Sequence, residues 1–95
     1  MKKKFDIGEN GAFTFELHGH QYSYADCKVL SERMSFNFQV IDSVLRTFDG
    51  KFAHIMVMAD GPEYSQNGIT KGSYIVERVN EETAKDLAAI DNAFS

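Results

Sequence analysis

The 95-residue chain reads as an α+β domain: a small antiparallel sheet (hairpin 12–24, strands near 51–59 and 73–79), a central helix near 24–42 and a C-terminal amphipathic helix over 81–94. Three observations carry that reading. Apolar and polar residues alternate near the start, an apolar stripe recurs every three or four residues through the middle, and a late strand-like run gives way to a capped amphipathic end. No composition shift or Ser-rich stretch divides the chain, so residues 1–95 are read as a single domain.

The hairpin comes first. Phe13, Phe15 and Leu17 alternate with Thr14, Glu16 and His18, Gly19 permits a tight reversal, and residues 20–24 alternate likewise. Ahead of it, residues 4–7 suit a short edge strand that reaches the hairpin through 8–11, a loop of residues that tolerate positive φ.

Between Tyr24 and Phe48 two periodicities compete. Tyr24, Cys27, Leu30, Met34, Phe38, Ile41, Leu45 and Phe48 form a helical stripe. Met34, Phe36, Phe38 and Val40 also alternate with polar residues, as a strand with one buried face would. The stripe is the longer pattern, and on length it predicts the central helix, with strand as the alternative.

Asp49-Gly50 suits a type I′ turn joining strands over 44–48 and 51–59; if the helix instead runs on to Phe48, Gly50 becomes its C-terminal cap. Residues 52–59 are apolar on both faces except at His54, the pattern of an interior strand covered on both sides. Residues 60–72 carry glycines, Pro62 and Asn67 with almost no apolar content and predict a long surface loop. After the strand at 73–79, Asn80 is a good N-cap, Glu81 and Glu82 suit the helix dipole, and Ala84, Leu87, Ala88 and Phe94 make a narrow apolar stripe.

Charge narrows the partners. Fourteen acids against ten bases give a net charge of −4 with no basic stripe, which argues against nucleic acid. Lys2, Lys3 and Lys4 alone do not make a membrane anchor, no apolar run follows them, and no segment approaches the roughly 20 apolar residues of a membrane span. The lone Cys27 needs no oxidising compartment, so a cytoplasmic location is expected.

Chemical signatures are sparse. His18-Gly19-His20 could converge on a metal, with His54 or Asp60 as further ligands, but without a Cys pair or a His-Glu-x-x-His helix neither metal nor cofactor is expected. Cys27 falls on the apolar stripe, where a thiol is inert. Asp42, Asp49, Asp60 and Glu63 cluster near turns, whose ordinary chemistry they serve, and no catalytic residue is assigned. Glu81, Glu82, Asp86 and Asp91 read as a solvated helix face.

Contact surfaces are the stronger signal. The long loop offers Glu63, Tyr64, Ser65, Gln66 and Asn67 as a partner-binding segment, one aromatic anchor among adaptable polar groups. A chain this short has trouble covering both faces of the 52–59 strand, which predicts Phe52, Met56 and Met58 as an oligomer interface in a homodimer. The sequence thus points to a non-enzymatic protein-binding module, such as a small accessory, immunity-type or inhibitor protein acting by contact. The alternatives are a small enzyme or ligand-binding domain using His18, His20 or His54, and a structural subunit of a larger homo-oligomer.

Overall fold

The computed structural model describes residues 2–7, 12–35, 39–66 and 68–93. Its elements are β1 (Lys3–Asp6), β2 (Thr14–Leu17), β3 (His20–Ser23), a 3-10 turn (Tyr24–Asp26), β4 (Lys28–Ser35), β5 (Val40–Arg46), β6 (Phe52–Ala59), a second 3-10 turn (Pro62–Tyr64), β7 (Lys71–Val79) and α1 (Glu81–Ala93). Five strands form an antiparallel sheet in the order β1-β7-β6-β5-β4, and β2-β3 is a separate two-stranded sheet. The α+β class holds, with the strands near 51–59 and 73–79 and the C-terminal helix; Phe94 lies outside the described residues.

The central helix expected near 24–42 is not formed. The helical spacing is a composite of three pieces: Tyr24 opens a 3-10 turn that Cys27 follows, a bulge between Val29 and Ser31 shifts the phase of β4, and Met34 and Ile41 face each other across two strands. The alternation read from Met34 to Val40 does not describe one strand either, since β4 ends at Ser35, β5 begins at Val40 and Met34 and Val40 lie on opposite faces; what favours strands here is that β-branched Val29, Val40, Ile41 and Val44 pack readily on a pleated surface. Phe36 and Phe38, half of that alternation, lie outside the described residues.

The type I′ turn expected at Asp49-Gly50 is found instead at the tight reversal of the first hairpin. His18 (φ 50°) and Gly19 (φ 81°) both take positive φ between Leu17 and its partner His20, the requirement of a two-residue type I′ turn. At Asp49-Gly50 only the glycine does so (φ 84°); Gly50 N–H donates to Thr47 O, and Thr47 N–H to Lys51 O, leaving a three-residue connection ended by a left-handed glycine.

The hairpin expected within the sheet instead lies across one of its faces. Phe15, Leu17 and Tyr22 pack with Leu45, Ala53, Ile55, Val57 and Tyr74 in a single buried cluster. Alternation sends Val44 to the opposite face, where it is fully buried; α1, which contacts β4, β5 and β6, supplies that cover with buried Ala84 and Ala88. Asn80 caps this helix by accepting from Thr83 N–H at 2.7 Å. Among the described residues no helix is long and apolar enough to cross a membrane.

Gly72 is required where β1, β7 and β6 meet. A Cβ there would fall 1.8 Å from the Met58 carbonyl oxygen; its cross-strand partner in β1 is Phe5, whose ring packs on Phe13 and Tyr74.

Candidate functional site

The layer between hairpin and sheet is sealed at one end. Tyr22 hydroxyl donates to Asp49 Oδ2 (2.9 Å) and Thr47 hydroxyl donates to Asp49 Oδ1 at this end, while further along the hairpin Glu16 N–H donates (3.0 Å) to the hydroxyl of Tyr74, the cross-strand partner of Val57. These bonds tie the hairpin to the β5–β6 connection and to β7. The Thr47 hydroxyl, followed by Tyr22 and the Lys51 ammonium, holds the Asp49 carboxyl below the usual aspartate range.

At the other end the layer stays open. Phe13, Tyr24, Glu32, Ile41, Val57 and Ile69 line a cavity of about 130 Å³, and Met34, Ile41, Ser65, Gln66, Gly68 and Ile69 line one of about 310 Å³. Ile41 and Ile69 belong to both, so the two form one apolar groove bounded by the hairpin, β4–β5 and, from the following loop, Ser65, Gln66, Gly68 and Ile69. The smaller cavity is close to the roughly 150 Å³ that admits a benzene ring, enough for one side chain.

Local folding explains each wall. Glu32 and Met34 are two apart on β4 and face the groove, opposite Ser43 and Ile41, while Arg33 between them points to the helix-covered side. Tyr24, placed by the 3-10 turn after β3, reaches Glu32 Oε2 and the buried Ser43 Oγ, both at 2.7 Å. A phenol carries one proton. Donating it to the carboxylate makes Ser43 the donor to Tyr24. Burial, with a smaller push from Glu32, raises the Tyr24 phenol far above the ordinary tyrosine range, so it stays a neutral donor.

Among the described residues Glu32 is the only charged one in the groove wall, and no cation pairs with it. The arrangement is an apolar trough with one fixed, exposed carboxylate at its β4 rim.

The loop residues expected to bind a partner divide. Ser65 and Gln66 line the groove; Tyr64 turns to Lys71, whose Nζ lies 5.3 Å from the ring centre, and Glu63 is exposed. Asn67 lies outside the described residues. The segment is also less irregular than expected, with a 3-10 turn at Pro62–Tyr64, a Thr70 N–H to Tyr64 O bond and β7 beginning at Lys71.

The histidines do not share a site. His18 and His20 stand at the β2–β3 turn, whereas His54 lies on the other face of the main sheet, its Nε2 2.6 Å from Asp42 Oδ1 and its Nδ1 3.5 Å from Glu77 Oε1. Among the described residues no three His, Cys, Asp or Glu side chains gather as metal ligands. Cys27 packs half-buried against the core rather than on a helix, and burial raises its thiol pKa.

Phe52, Met56 and Met58 share the α1 side of β6 and are half-buried, with Ile75, opposite Met56, 40% exposed. The helix covers the part of this face around Val44 and leaves the part around Met56 and Ile75 thinly covered.

Sequence reasoning found Ser65 and Gln66 through loop composition. It missed Tyr24, Glu32, Ile41 and Ile69, which converge only once β4 and β5 are strands; the alternation of Glu32 and Met34 was the available signal. Comparison with protein-family models, with curated proteins and with solved structures found no match.

Proposed function

We propose that this protein is a non-enzymatic protein-binding module, a small accessory, immunity-type or inhibitor protein, that acts by holding a segment of its partner in the groove between hairpin and sheet. The supporting observation is the shared apolar wall of Ile41 and Ile69 with a single carboxylate at its rim. Side-chain-sized apolar cavities with few polar groups are built for contact anchors. The reading is tested by selecting short displayed peptides against the immobilised whole chain. A family of sequences should be enriched on the wild type and lost on Met34→Asp or Gln66→Trp, two exposed groove positions whose replacement leaves the core alone. Enrichment indifferent to both variants would remove the groove from the account.

A second surface supports the homodimer. Ile75 beside Met56 and Met58 forms an apolar area on the α1 side of the sheet, which pairing of two copies would cover. Absolute mass by light scattering, followed over a concentration series, decides this. A stable two-fold mass lost on Ile75→Lys supports the dimer, a monomer throughout ends it, and a higher multiple indicates a structural subunit of a larger assembly.

A further inference from the structure

Resting on the groove reading, we infer that the occupant is an extended segment that adds to the free edge of β4 as a further strand, placing a basic residue opposite Glu32 and an apolar residue opposite Met34.

β4 stands last in the sheet order, with β5 on one side and, among the described residues, no strand on the other. An open strand edge presents a row of main-chain donors and acceptors ready to pair with another chain. The first part of β4 is blunted by the bulge at Val29/Ser31, a device that disrupts regular pairing. Beyond the bulge, Glu32, Arg33 and Met34 are consecutive exposed residues, with Met34 47% exposed. That regular stretch adjoins the groove, because Glu32 and Met34 are themselves part of its wall.

Side-chain chemistry then selects the segment. A strand paired with this edge places its residues opposite Glu32 and Met34 on the groove face, with Cβ atoms about 4.5–5.5 Å from theirs. The residue opposite Glu32 meets a carboxylate fixed by the Tyr24 hydroxyl and paired, among the described residues, with no cation, so Lys or Arg is favoured there. The residue opposite Met34 leans over β4 towards Ile41 and Ile69, so a long aliphatic or aromatic side chain is favoured. Because Glu32 and Met34 are two apart, so are their partners. An antiparallel segment reads apolar-x-basic, and a parallel one basic-x-apolar.

The peptides enriched on the whole chain provide the probe. They should share a basic and an apolar residue separated by one position, in one order throughout. Binding of the tightest should slow hydrogen exchange at the β4 amides over 32–34. An exposed ion pair is worth about 0.2–1 kcal/mol, so Glu32→Gln should weaken binding by about 1.5- to 5-fold, and Glu32→Lys should replace the basic preference with an acidic one in a repeated selection. Peptides that depend on Met34 and Gln66 but leave the β4 amides unprotected, or that ignore Glu32, overturn strand addition while the contact reading stands. Absence of any enriched family overturns both.

Discussion

The two ends of the layer between hairpin and sheet are built from similar residues and finished differently. At the closed end Phe15, Leu17 and Tyr22 are buried, and Asp49 accepts hydrogen bonds from both Tyr22 and Thr47. At the open end Phe13 and Tyr24, which extend the same alternation, are half-buried over cavities that the described side chains leave unfilled. Close packing is the rule in protein interiors, and a void forfeits contacts. The contrast teaches that this hairpin is held to the sheet at both ends, by Asp49 at one and by the Tyr24 bonds to Ser43 and Glu32 at the other, but is closely packed only at the first.

The largest break in that comparison comes from truncating each end in turn. Phe15→Ala should cost about 3–5 kcal/mol in denaturant unfolding, because the site is fully enclosed. Ile69→Ala, in the half-buried groove wall, should cost well under the 2–5 kcal/mol of an enclosed Ile, about 1–2 kcal/mol. Equal losses would mean the two ends are packed alike. Next is Tyr24→Phe, expected to cost about 1–3 kcal/mol by leaving the buried Ser43 hydroxyl without its acceptor. It should also weaken peptide capture, since Glu32 loses the donor that fixes it; unaltered stability and capture would deny the Tyr24 hydroxyl that role.

A smaller effect separates the ends by pH. The Asp49 carboxyl is depressed in the fold, so its contribution is present above the unfolded aspartate value of about 3.9 and is lost as pH falls through its lower folded value. Asp49→Asn should therefore flatten the acid limb of the stability curve below about pH 4 relative to the wild type. An unchanged slope would show that the clamp does not depend on the charge. Smallest of all, Glu32→Gln should leave unfolding within about 0.5 kcal/mol of wild type while weakening capture of a basic peptide, the mark of a residue placed for contact.

Much of the frame was legible in the residues. Gly19 announced the hairpin turn, the alternation of Phe13, Phe15 and Leu17 marked β2, the two-faced apolar run at 52–59 marked an interior strand, and Asn80 with Glu81 and Glu82 marked the start of α1. The middle was obscured because a bulge adds one residue to β4 and a 3-10 turn adds another phase shift before it, so two short strands imitate a helical stripe. Hairpin placement was hidden for a different reason. Alternation tells a strand which of its faces is apolar, not whether that face joins a sheet or lies across one. The groove inherits both gaps: Ser65 and Gln66 were visible as loop residues, but Tyr24, Glu32, Ile41 and Ile69 meet only through non-local pairing.

The most direct test of the central claim is a methyl-resolved NMR titration of the whole chain with the tightest selected peptide. The Ile41, Ile69 and Met34 methyl signals should shift together and saturate, while those of Ile75, Met56 and Met58 on the other face hold still. Shifts confined to Ile75, Met56 and Met58 would contradict the account and move the binding surface to the α1 side of the sheet.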